Sequence, residues 1–221
     1  MKAFILLCCF AALTACEMSP PAWEEAGEQE TVTVYACGGW QQPQIDQIKE
    51  AIADINANAR YENENQFFAY GGEKPGLYGS GENNGVRCVY WIYSNYPTQA
   101  GRDMWNGARS ANESDWLAGE YDGENVFVYG NGTCPVGTSC TWMMQNVVTH
   151  ELGHALGAGH LGDDQEGVLT SRPSSAYVTG ADVEEICDHA SCDSNYHGVA
   201  AKLTEETYDR LAAVEFHCLN E

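Results

Sequence analysis

Apolar residues recur along this chain in two rhythms, and the switches between them outline its elements. Thr31-Val32-Thr33-Val34-Tyr35-Ala36 alternates in the period-2 manner of a strand. Four isoleucines, Ile45, Ile48, Ile52 and Ile55, then fall at helical spacing, which predicts a helix opened by Pro43 and running through Asn58. Proline suits a first helical turn, where its missing N–H has no partner to lose. Glycine-rich turns separate Phe67–Tyr70 from Val86–Tyr93, and the run Val86-Arg87-Cys88-Val89-Tyr90-Trp91-Ile92-Tyr93 is the strongest strand signal of all. Asn125-Val126-Phe127-Val128-Tyr129 reads as another short strand. From Cys140 or Thr141 the helical rhythm returns, with Met144, Val147, Val148, Leu152 and Leu156 forming a face to bury. A last helix is predicted from Thr204-Glu205-Glu206. Thr204 is a good N-cap, the acidic first turn suits the helix dipole, and Leu211, Val214 and Phe216 supply apolar side chains. No internal repeat breaks this order, and pattern alone predicts an α/β or α+β fold.

The ends of the chain change the picture by adding a location. Met1-Lys2 and the apolar stretch from Ala3 to Ala12 form a basic start and a segment too short to span a bilayer, as in a secretory signal. The stretch closes in Leu13-Thr14-Ala15-Cys16, which resembles a bacterial lipobox. Residues 1–15 then form a lipoprotein signal peptide, and Cys16 becomes the lipidated first residue. The alternative is ordinary cleavage after Ala15 and secretion, although Leu13 stands where that cleavage prefers a small residue. Glu17 to Glu30 is acidic, holds Pro20-Pro21 and has little apolar content, so residues 16–30 read as a flexible tether. A lipid on Cys16 would attach the protein to a membrane of the cell envelope or the cell surface. No later stretch is apolar enough to span.

Seven cysteines remain beyond the signal and Cys16: Cys37, Cys88, Cys134, Cys140, Cys187, Cys192 and Cys218. With Cys16 lipidated, this odd number predicts three bridges and one leftover thiol or intermolecular bond; without lipidation, eight cysteines allow four bridges. Cys134–Cys140 is the first local pair expected and Cys187–Cys192 the second. Cys37, at the end of the first strand, is expected to have a disulfide partner. No C-x-x-C pair outside the signal supports a structural thiolate–zinc site. The 32 acidic residues against 10 basic ones, a net charge of −22, argue against nucleic acid or an anionic lipid surface as partner, because phosphate binding needs clustered Lys and Arg. Solubility is the plain reading of this charge. A sharper one places Ca²⁺ near Asp163, Asp164 and Glu166, although no Ca-loop spacing accompanies them. Residues 31–221 are of single-domain size, and a monomer is favoured.

One window carries chemistry. His150-Glu151-Leu152-Gly153-His154-Ala155-Leu156-Gly157-Ala158-Gly159-His160 reads H-E-x-x-H-x-x-G-x-x-H and holds half of the six histidines. On a helix, positions i and i+4 share a face, so His150 and His154 can present two imidazoles to one ion. Glu151 points elsewhere and is placed to take a proton from a metal-bound water without occupying a coordination position. Gly157 can adopt a left-handed turn that ends the helix and swings His160 back as a third ligand. Three nitrogens with an open fourth position are the pattern of a catalytic rather than a structural zinc centre.

This eleven-residue string resembles the metzincin clan of zinc-dependent endopeptidases. The order strand, helix, several strands, zinc helix, irregular segment and final helix is similar to the metzincin catalytic domain over nearly the whole mature chain. The resemblance implies an α+β fold: a mixed twisted sheet with the active-site helix in an upper subdomain of about residues 31–157. A small irregular lower subdomain, about 158–221, would end in a helix. It implies one catalytic Zn²⁺ on His150, His154 and His160, Glu151 as general base, and a protein or peptide substrate. Metzincins also carry a methionine in a tight turn below the metal. Here no methionine follows His160, and in Glu166-Gly167-Val168-Leu169-Thr170 the substitute is Leu169, of similar volume. Leu161 does not match the residue that marks the well-known branches. Tyr177, the nearest tyrosine beyond the turn, reads as an ordinary surface or core residue. A different class of function, a non-catalytic zinc-binding or adhesive surface lipoprotein on the same scaffold, would not need Glu151.

Overall fold

A computed structural model describes residues 30–110, 118–130, 140–162, 164–170 and 177–192. Among these residues the fold is mixed α+β, with a five-stranded, mostly parallel sheet and four helices. β1 (Val32–Cys37), α1 (Gln42–Asn58), β2 (Phe68–Lys74) and β3 (Cys88–Ile92) come first. α2 (Gln99–Ser110), β4 (Gly119–Tyr121), β5 (Val126–Tyr129), α3 (Cys140–Ala155) and α4 (Gly180–His189) follow. The strand order is β2-β1-β3-β5-β4; β1, β2, β3 and β5 run parallel, and β4 lies antiparallel on one edge beside β5.

The two rhythms of the sequence sort these elements into layers. Ile45, Ile48, Ile52 and Ile55 of α1 are buried, as their spacing predicts, and share one core with Val34, Val126, Val128, Val148, Leu152 and Leu156. α1 and α3 therefore pack together over one face of the sheet. All four residues of β5 are buried, which explains its continuous apolar run: a parallel strand covered on both faces has no polar side to show. A second cluster joins Tyr90, Ile92, Phe127 and Tyr129 to Tyr96 and Trp105, the latter on α2.

Predicted boundaries shift by a residue or two at β1, α1 and β5. The segment at Phe67–Tyr70 extends into a strand reaching Lys74. Three elements lack a prediction: α2, β4 and α4. The helix expected from Thr204 lies outside the described residues. Among the described residues no helix is long and apolar enough to cross a membrane. Cys37–Cys88 is a disulfide joining the neighbouring strands β1 and β3, and Cys187–Cys192 is a second, closing the end of α4. The partner expected for Cys37 is thus Cys88, and the second local pair is formed. The pair expected between Cys134 and Cys140 lies outside the described side chains.

Candidate metal centre

α3 presents His150 and His154 one turn apart, and its C-terminus brings in His160. The helix ends in a Schellman turn: Ala158 N–H donates to the Gly153 carbonyl at 3.2 Å and Gly157 N–H to the His154 carbonyl at 2.9 Å. Gly157 has φ +92°, a left-handed conformation that a Cβ disfavours. The reversal carries the chain back over the last helical turn. Nε2 of His160 then lies 3.2 Å from Nε2 of both His150 and His154, which are themselves 3.0 Å apart.

The hydrogen bonds on the far side of the rings decide what this cluster can hold. Nδ1 of His150 lies 2.6 Å from the Val168 carbonyl, and Nδ1 of His154 lies 2.8 Å from the Ala158 carbonyl. A carbonyl only accepts, so each Nδ1 carries the proton, and in the neutral ring Nε2 is a bare lone pair. Burial, helped by the other two histidines, lowers the His150 pKa to about 3. Burial and His160 lower that of His154, against the Ala158 bond and Glu185, which raise it. Two bare lone pairs 3.0 Å apart cannot bond each other and call for a cation between them. Nitrogens at about 2.0–2.1 Å from one tetrahedral zinc would stand about 3.3 Å apart, close to what is found. These three side chains form a group able to hold a metal ion, and three imidazole nitrogens suit zinc. His160 is exposed, so the cluster is open on one side.

Glu151 leaves the metal face of the helix, as its position in the motif predicts. It is buried, and its Oε1 would lie 2.6 Å from a Cβ placed on Gly119 of the edge strand β4. A side chain there would also collide with Val147. The carboxyl group therefore sits in space that the glycine leaves free. Burial, with a contribution from Glu120, pushes the Glu151 pKa up to about 8.

The segment below the histidines is held as firmly as the helix above. Leu169 is fully buried, with Cδ2 2.5 Å from where a Cβ on Gly153 would stand, so it packs beneath the turn that carries both helical ligands. Leu161 N–H donates to the Leu169 carbonyl at 3.0 Å, which closes the loop after the third histidine. The support comes from α4. Asp182 accepts the N–H groups of Val168 (3.0 Å) and Leu169 (2.8 Å), while Glu185 accepts that of Gly159 at 2.8 Å.

His150, His154 and His160 are thus brought together by the fold, while Glu151, next in sequence to His150, packs against β4. Gly119, Asp182 and Glu185 are site residues that the sequence reading lacks. Asp182 had a local signal: Thr179-Gly180-Ala181-Asp182 is the Thr-x-x-acid pattern of a capping box, and Thr179 is the N-cap of α4. Among the described residues, the histidine cluster is the group of three or more metal-type side chains. Asp164 and Glu166 join no second one, and Asp163 lies outside the described residues. Neither the models of known protein families nor the curated proteins match this chain.

Proposed function

We propose that this chain is a zinc-dependent endopeptidase of the metzincin kind that its motif resembles. The observation that carries the reading is the convergence of three imidazole Nε2 atoms, 3.0–3.2 Å apart, on a motif whose Glu151 is a buried carboxyl group. A zinc ion on these nitrogens would polarise a peptide carbonyl and lower the pKa of a water molecule from about 15.7 to near 7. Glu151 is the residue that would hold the proton of an attacking water and return it to the leaving amine. Burial favours the protonated form of Glu151 that makes this delivery, and a nearby dication favours the ionised form that starts the reaction. The Val168 and Ala158 carbonyls keep Nδ1 protonated and the rings aimed. The exposed His160 side is where a substrate enters.

Leu169 under the histidines supports the leucine-for-methionine exchange at the turn. The substrates would be proteins or peptides. Two disulfides fit an oxidising, exported setting, and a lipid on Cys16 would hold the domain at the envelope. Cleavage of a broad peptide library tests the activity. Metal-loaded protein should cut it, chelated protein should not, and added zinc should restore cleavage. Metal-loaded protein that cuts neither the library nor a panel of folded proteins would leave a zinc-binding scaffold as the better account.

A further inference from the structure

Two carboxylates of α4 reach the histidines through a single peptide unit each. The Leu169 N–H donates to Oδ1 of Asp182 at 2.8 Å, and the carbonyl of that same peptide unit, Val168, accepts Nδ1–H of His150 at 2.6 Å. The Gly159 N–H donates to Oε1 of Glu185 at 2.8 Å, and the carbonyl of that unit, Ala158, accepts Nδ1–H of His154 at 2.8 Å. Both chains run carboxylate, peptide, imidazole, and both end on an Nε2 that faces the cluster. The two acids are three positions apart, so they share a face of the helix.

Coincidence is a poor account of this arrangement. Asp182 is fully buried, where an ionised carboxyl is costly unless hydrogen bonds compensate it. Besides Leu169 it accepts the Val168 N–H at 3.0 Å, the Thr179 N–H at 2.7 Å and the Thr179 hydroxyl at 2.8 Å. Glu185 also faces His189 at 3.3 Å on the next turn. A negative charge at the N–H end of a peptide makes its carbonyl a stronger acceptor, because hydrogen bonds in series polarise one another. A stronger acceptor on Nδ1–H makes Nε2 a better donor to a metal and fixes the ring.

We propose that Asp182 and Glu185 are positioning residues for the metal centre, each orienting and strengthening one histidine ligand through one peptide bond. The proposal rests on the zinc reading. Asp182 has four bonds to lose, and its replacement endangers folding, so the decisive variant is Glu185→Gln. Glutamine keeps an acceptor oxygen for Gly159 and removes only the charge. Glu184→Gln, on an exposed neighbour, changes net charge equally and serves as control.

The measurements are the zinc dissociation constant by chelator competition, the thermal midpoint of the metal-free protein, and the Nδ1–H proton resonances of His150 and His154. Glu185→Gln should bind zinc about tenfold more weakly, with Glu184→Gln within about twofold of wild type. The His154 resonance should move upfield and that of His150 should stay, with the metal-free midpoint unchanged. Glu185→Gln that binds zinc like wild type or like the control overturns the relay and leaves the zinc site standing. Weaker binding with an unmoved His154 resonance assigns a merely structural role and also overturns it. Wild-type protein that takes up no zinc removes the relay and the site together.

Discussion

At position 119 the lack of a side chain decides where Glu151 can lie. A methyl group there would stand 2.6 Å from Oε1 and 3.0 Å from Cγ of Glu151, and would collide with Val147. Gly119→Ala should therefore displace the carboxyl group while leaving all three histidines in place. Zinc content should persist, and peptide hydrolysis should fall by about 10²-fold, the usual effect of a catalytic group misplaced by an ångström. A rate equal to wild type would mean that Glu151 is not held against β4. The histidines and Glu151 were legible in the sequence because helical spacing is a local rule. Gly119 was not. It precedes Glu151 by 32 positions, and nothing local distinguishes it from the other glycines of the 23 in the chain.

The elements divide along the same line. β1, β3, β5, α1 and α3 were legible because each carries a strong apolar rhythm that its burial repeats. β4 has only three residues, Gly-Glu-Tyr, and is a strand because β5 offers it an edge. α2 contains Gly101 and Gly107, poor helix formers; at Gly101 a Cβ would collide with the Tyr96 ring, so packing overrides propensity. α4 buries only Asp182, Val183 and Ile186, too few for a rhythm, although its capping box marked its start. Another carboxylate ties the segment leading into α4 to α1: Asp54 accepts the Val178 N–H at 2.9 Å. Burial, with smaller contributions from Asp182 and Glu50, raises the Asp54 pKa to about 7 against the Val178 N–H and the Asn58 amide, which lower it. The folded protein thus binds this proton more tightly than the unfolded chain does, whose carboxyl titrates at its ordinary value of 3.8. Its stabilising contribution is complete below about pH 4 and is lost as pH rises through about 7. Asp54→Asn, which stays neutral, should gain stability relative to wild type as pH goes from 5 to 8 in denaturant unfolding. A difference that stays flat, or narrows, over that range would contradict an elevated Asp54.

On the scale of the whole molecule, a chain of net charge −22 carries, among its described residues, two disulfides and a core that joins sheet, helices and the loops beneath the histidines. Cys37–Cys88 spans 51 positions, and closing a loop of that size restricts the unfolded chain by about 4 kcal/mol. That constraint holds β1 to β3, inside the sheet on whose edge Glu151 rests. In the proposed function this frame would serve hydrolysis at a three-histidine zinc site with Glu151 as base. Glu151→Gln tests it most directly, because glutamine keeps size and hydrogen bonding and removes the basic carboxylate. Zinc content and peptide cleavage should be measured on the same samples. The account predicts about one zinc per chain in both proteins and cleavage reduced by at least roughly 10²–10⁴-fold in the variant. Equal cleavage by both proteins at full zinc occupancy, or cleavage by neither, would contradict it.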